Sequence, residues 1–91
     1  MLDQFVEMTR QIIRDDGFED YLPTLVLPGR QEIFVLETDL AGDDHEQPAR
    51  EFALGHLSGA EDYLLAFKKD RWHFKVVGRI DGRLQERVCQ V

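Results

Sequence analysis

The chain has 91 residues, 43% of them apolar, and carries 18 acidic against 11 basic side chains, for a formal net charge of −7. At this length a chain buries one modest core, which predicts a single domain over residues 1–91 and excludes transporters and large multi-site enzymes. No apolar run approaches the roughly 20 residues of a membrane-spanning helix. The segment Met1–Glu7 lacks the basic and apolar parts of a secretory signal, and Cys89 is the one cysteine. We therefore expect a cytoplasmic protein without disulfides.

Charge is distributed unevenly along the sequence. Residues 1–47 contain 12 acidic and three basic side chains, whereas residues 48–91 contain six acidic and eight basic ones. An asymmetry of this kind concerns partners rather than the fold. It favours self-association or docking on another charged protein.

Two helices are predicted from apolar side chains at helical spacing. The first covers residues 2–16 and ends at Gly17, with an apolar stripe of Leu2, Phe5, Val6, Thr9, Ile12 and Ile13. The second runs from Pro48 to about Leu57, since proline is tolerated in a first helical turn. Its stripe comprises Ala49, Phe52, Ala53, His56, Leu57 and Ala60.

Between the helices we predict a β-hairpin with strands at residues 24–27 and 31–38. Pro28 and Gly29 suit the two central positions of a type II turn between them. The run Ile33–Leu36 is apolar without alternation, which indicates that both of its faces are covered. It is expected to be central in the sheet, or to have a helix on one side and a partner on the other.

Three further strands, at residues 62–68, 71–79 and 83–91, are predicted to form an antiparallel meander. A two-residue loop after the first would pair Phe67 with Trp72, apolar on apolar.

After the second strand, two loops are possible. A two-residue turn pairs Phe74 with Cys89, whereas a three-residue loop with Gly82 in a bulge pairs Phe74 with Val88. We favour the bulged loop because it keeps the apolar side chains on one face.

These elements predict an α+β fold, an antiparallel sheet of about five strands with two helices on one side, in the order α-β-β-α-β-β-β. The outer sheet face would then be basic, and we interpret it as a site for anions or for an acidic protein partner. Its residues are Lys68, Arg71, His73, Lys75, Arg79 and Arg87. The competing interpretation is a solvated face that discourages edge pairing. Nucleic acid is not expected, because the aromatic side chains lie on the opposite face.

Two other groups of residues are candidate sites. The acidic loop with Asp39, Asp43, Asp44, His45 and Glu46 could bind a metal ion, but it lacks EF-hand spacing, and capping of the second helix explains the same residues.

The bulged register also places His73 across from Cys89, a pair that would need a third orienting group and an oxyanion site for nucleophilic catalysis. No catalytic, cofactor-binding or metal-binding residue is therefore assigned.

The sequence favours a non-enzymatic interaction module, either a homodimer or an accessory protein of the chaperone or antitoxin type. It is expected to bind a protein, with no cofactor and no membrane. The alternative is a small-molecule-binding protein or minor enzyme. Its pocket would lie between the second helix and the sheet, with His56, Tyr63 or Trp72 at the mouth.

Overall fold

The computed structural model describes all 91 residues and has the predicted order α-β-β-α-β-β-β. Its helices are α1 (Leu2–Asp16) and α2 (Glu46–His56), and its strands are β1 (Thr24–Leu27), β2 (Glu32–Val35), β3 (Tyr63–Lys68), β4 (His73–Ile80) and β5 (Arg83–Gln90). The prediction of a mixed α+β fold that ends in a three-stranded meander is confirmed. Neither helix is long and apolar enough to cross a membrane.

The five strands form one antiparallel sheet in the order β2-β1-β3-β4-β5. The pairing of β1 with β3 joins the first hairpin to the C-terminal meander, with Leu25 opposite Leu65. Strands β2 and β5 are the two edges, each with one unpaired side.

The two helices pack on opposite faces of this sheet, so the prediction that both lie on one side is wrong. One buried cluster joins α1 to Leu64, Ala66 and Phe74, and the other joins α2 to Leu65 and Phe67. Strand β3 is therefore buried on both faces. Its run of apolar residues without alternation is the pattern of a doubly covered strand.

The register between β3 and β4 explains this error. Phe67 lies opposite Lys75, not Trp72, because five residues separate the last pair, Lys68 and Phe74, instead of the predicted two. Asp70 closes the wider loop, since its Oδ1 accepts hydrogen bonds from the backbone of Trp72 at 2.8 Å and from His73 Nδ1 at 2.9 Å. The three-residue shift exchanges the two faces of β4, and Trp72, which was predicted to pair with Phe67, lies in the loop and is 64% exposed.

The β4–β5 connection is the two-residue turn Asp81-Gly82, so the prediction of a three-residue bulged loop is wrong. Asp81 and Gly82 both have positive φ, 53° and 79°, as a type I′ turn requires. The Asp62 carboxylate accepts both of their backbone N–H groups, at 2.9 and 3.2 Å. Phe74 consequently pairs with Cys89, and Val88 is exposed rather than in the core.

The first hairpin also turns differently from the prediction. Residues Pro28–Arg30 form a short 3₁₀ turn followed by Gln31 in the left-handed region, which replaces the expected type II turn. Strand β2 ends at Val35 and is an edge strand, with Phe34 facing α2 and its neighbours facing the α1 side. Helix α1 has the predicted bounds, whereas α2 begins at Glu46, two residues before Pro48.

Gly78 offers a test of the observed register. A Cβ atom at this position would lie 2.6 Å from the Tyr63 carbonyl oxygen and 3.1 Å from Leu64 Cδ2. We expect Gly78→Ala to lower the free energy of unfolding by about 1–3 kcal/mol, measured by urea denaturation. The matched control, Gly55→Ala in α2, meets nothing within 4 Å and should raise it by about 0.5–1 kcal/mol. An unchanged Gly78→Ala midpoint would contradict the β3–β4 pairing.

Candidate functional site

The six predicted anion-binding residues do not share one surface. Lys68 and Arg87 lie on the α1 side of the sheet, opposite residues of that core, whereas His73, Lys75 and Arg79 lie on the α2 side. Arg71 belongs to the β3–β4 loop. The prediction of one uniform basic face is therefore wrong, because the observed β3–β4 register exchanges the two faces of β4 relative to β3.

Four of these six side chains are also engaged within the chain. Lys68 is only 5% exposed, with Nζ 3.2 Å from Asp43 Oδ1 and 5.0 Å from the centre of the Phe18 ring. His73 is bonded to Asp70, and Arg87 pairs with Asp3. These contacts hold loops and α1 against the sheet, which leaves the cations less available to an external anion.

Lys75, the fourth, belongs to an ion-pair network centred on Glu46 at the start of α2. Glu46 accepts from Lys69 at 2.9 Å, from Arg50 at 2.9 Å and from Lys75 at 3.2 Å. The hydrogen bond from Lys69 contributes most to lowering the pKa of Glu46 to about 2. Lys75 also lies 2.8 Å from Glu86, which raises the pKa of the lysine. The network thereby ties α2 to β4 and β5.

Two of the predicted cations, Arg71 and Arg79, have no carboxylate partner. The Arg71 guanidinium lies 5.4 Å from the centre of the Trp72 ring. Arg79 lies on β4 opposite Leu84.

Three acids of the acidic loop predicted before the second helix, Asp43, Asp44 and Glu46, are engaged in ion pairs or hydrogen bonds within the chain. Asp44 accepts the backbone N–H of Glu46 at 3.1 Å and lies 3.3 Å from Lys69 Nζ. Asp43 is held by Lys68. No three histidine, cysteine, aspartate or glutamate side chains are placed to hold a metal ion together.

The pairing of His73 with Cys89 does not form. Cys89 faces the α1 core opposite Phe74, and burial raises the pKa of its thiol. His73 points to the other side of the sheet, where Asp70 binds it.

The space between α2 and the sheet is largely filled. His56 stacks on Phe34 at 4.1 Å between ring centres and meets Phe52 edge-on at 4.9 Å, as expected for a boundary histidine. The cavity beside Tyr63 measures about 130 Å³, below the roughly 300–1,000 Å³ of common ligand sites. Trp72 lies in the loop after β3, whereas α2 ends near Tyr63 at the start of that strand.

A different charged surface stands out, because its side chains lack partners. Twelve of the 18 carboxylates form an ion pair or a hydrogen bond within the chain. The others are Asp16, Glu19, Asp20, Glu37, Asp39 and Asp81. All except Asp81 line two adjoining depressions beside α1 and β2.

The first depression is an apolar groove of about 350 Å³ between α1 and β2. Met8 and Ile12 of α1 form one wall, and Ile33 and Val35 of β2 form the other. Ile33 is 63% exposed and Val35 is 44% exposed, and with Met8 and Ile12 they form a contiguous apolar patch. Asp16 and Asp20 lie at its rim.

The second depression, the acidic cleft, is open, measures about 730 Å³ and shares residues 20–22 with the groove. Its carboxylates belong to Glu19, Asp20, Glu37 and Asp39. His45 also lines it and is 4% exposed, with Nε2 donating to the Gly42 carbonyl at 2.9 Å and Nδ1 buried without a partner. Carboxylates accept hydrogen bonds, so the cleft suits a cation that donates them.

The sequence predicted that the strand at Ile33–Leu36 is central in the sheet, or has a helix on one side and a partner on the other. The central position is wrong, because β2 is an edge strand. Phe34 packs towards α2, whereas Ile33 and Val35 are exposed, and coverage of their face by a partner stays a prediction. The carboxylates are spread over residues 16–39, and nothing local distinguishes them from the paired ones. Only the fold shows which acids lack an internal cation.

The remaining sheet edge, β5, is also uncovered. Leu84 and Val88 are exposed there, and Arg83 and Arg87 lie on the same strand. Positive side chains on an edge oppose pairing with a second copy of that edge. Homodimer formation stays a prediction.

Comparisons of the chain with models of known protein families, with curated proteins and with solved structures find no significant match. The groove and the cleft are therefore the features from which we infer a function.

Proposed function

We propose that the chain is a non-enzymatic interaction module that binds a segment of another protein through the apolar groove and the acidic cleft. The segment carries aliphatic side chains for the groove and Lys or Arg for the cleft. The observation that carries the proposal is the placement of five of the six unpartnered carboxylates in two adjoining depressions, two at the rim of the apolar groove that exposes Ile33 and Val35 and the others in the acidic cleft beside it.

The energetics suit a protein segment. Full burial of a fully exposed aliphatic side chain contributes about 1.5–3 kcal/mol, so covering the exposed parts of Ile33 and Val35 supplies a fraction of this value for each residue. The carboxylates add faster association and selection against acidic partners. A cytoplasmic location belongs to the same proposal, and it is compatible with a fold that has no disulfide.

Selection from a random peptide display library tests the proposal. We expect enrichment of peptides that combine Lys or Arg with Val, Ile, Leu or Phe. The matched control is the triple variant Asp16→Asn, Asp20→Asn and Glu37→Gln, which preserves shape and removes charge, and enrichment should disappear on it. A second control, Arg71→Gln with Arg79→Gln, should select the same peptides as the wild type.

Enrichment of acidic peptides, or of none, would overturn the proposal. If acidic peptides are enriched on the wild type and not on the double arginine variant, the result would instead support an anion-binding site that includes Arg71 and Arg79.

A further inference from the structure

The free edge of β2 carries unpaired backbone groups at the same residues that line the groove. The backbone N–H of Leu36 donates to the Pro23 carbonyl at 3.0 Å, so these two residues form a hydrogen-bonded pair across the β1–β2 ladder. Such pairs alternate along an antiparallel ladder, which makes Phe34 and Glu32 the next residues bonded to β1. Ile33 and Val35 therefore direct their N–H and C=O groups away from the sheet.

Building on the proposed function, we propose that the partner segment docks as an additional β-strand on the free edge of β2. A strand in this position satisfies the N–H and C=O groups of both Ile33 and Val35 and places alternate side chains over the groove. A helix lying in the groove would leave those four backbone groups without protein partners. The five-stranded sheet thereby gains a sixth strand.

The position of the cleft fixes the orientation and composition of the added strand. Every neighbouring pair in the sheet is antiparallel, and we assign the same orientation to the new strand. The chain leaves the carboxyl end of β2 into Glu37, Thr38 and Asp39, which line the acidic cleft. The amino end of an antiparallel strand lies there. The partner motif is thus two basic residues followed by alternating apolar residues.

The probe is the acetylated, amidated octapeptide Lys-Arg-Ser-Val-Thr-Val-Thr-Val, with binding measured by calorimetry. Two derivatives carry backbone N-methyl groups in the apolar half of the peptide. One is methylated at the valine residues and the other at the residues that alternate with them. In an edge strand, only every second residue directs its N–H group towards the neighbouring strand. The derivative methylated at those residues should bind about tenfold or more weakly than the parent peptide, and the other derivative should bind within about threefold of it. The peptide of reversed sequence should also bind about tenfold more weakly.

Variants of the protein locate the strand. Val35→Thr removes apolar contact from the β2 edge at constant shape and should weaken the probe, whereas Val88→Thr, the same change on the exposed β5 edge, should not. A stronger effect of Val88→Thr would overturn docking on β2.

The two proposals fail in different ways. If the probe binds, and both N-methylated derivatives bind as well as the parent, strand addition is overturned while the proposed function stands. Absence of binding at millimolar probe, together with no enrichment in peptide display, overturns the proposed function. If the protein forms concentration-dependent oligomers through the β2 edge without peptide, a second copy of the chain occupies that edge. That result would overturn the proposal that the occupant is a segment of another protein.

Discussion

Phe67→Ala and Phe74→Ala should each lower the free energy of unfolding by about 3–5 kcal/mol. Both side chains are fully buried, Phe74 against α1 and Phe67 on the α2 side. Truncation removes the transfer free energy of the ring and leaves a cavity that its neighbours fill only partly. For a domain of this size, either loss is a large share of total stability.

Urea denaturation of the two variants measures this effect, with Leu84→Ala as the control. Leu84 is exposed on β5, and its truncation should change stability by no more than about 0.5 kcal/mol. A large loss in only one of the two phenylalanine variants would indicate a sheet with one covered face, as the sequence had suggested, and would contradict the observed packing.

Charge reversal in the acidic cleft should weaken the basic octapeptide about tenfold or more for each of Asp20→Lys and Glu37→Lys. A contact between unit charges in water is worth about 1 kcal/mol, and reversal replaces attraction with repulsion of similar size. Neither carboxylate has an internal partner, so the variants disturb no ion pair of the native chain. The affinity of the wild type should also fall as salt is raised, because exposed charges are screened.

Glu51→Lys is the matched control, since it changes net charge equally at an exposed acid of α2 outside both depressions. Calorimetry should show affinity within about threefold of the wild type, corresponding to weak screened attraction at a distance. If the control weakens binding as much as Asp20→Lys, the peptide responds to overall charge and the cleft has no special role.

Element order was predictable because local patterns determine it. The stripe from Leu2 to Ile13 has helical period, and Gly17, with φ of 88°, ends α1 as expected. The apolar strands between turns were likewise recognised from their periodicity and turn residues.

Strand registers were not predicted correctly, because side-chain contacts that periodicity does not show close the turns. The Asp62 carboxylate binds the β4–β5 turn from 19 residues away, and Asp70 closes the β3–β4 loop through hydrogen bonds to Trp72 and His73 inside that loop. An error of three residues exchanges the two faces of β4. Because of this error, the sequence predicted a basic surface from Lys68, which is buried, and from cations that are paired within the chain.

The candidate surface depends on the same kind of information. Ile33 and Val35 were recognisable as apolar strand residues, but their exposure follows from the edge position of β2. Whether a carboxylate such as Glu37 has a cation partner is a property of tertiary contacts. The net charge of −7 predicted an acidic molecule without showing which acids remain free.

The most direct test is an NMR titration of ¹⁵N-labelled protein with the basic octapeptide, followed by amide hydrogen exchange in the complex. We expect the largest shifts at the amides of Ile33, Val35 and residues 37–39, with new protection of the Ile33 and Val35 N–H groups. Perturbations centred on β5 or on Arg71 and Arg79, or no perturbation at millimolar peptide, would contradict the assignment of the groove and cleft as the binding surface.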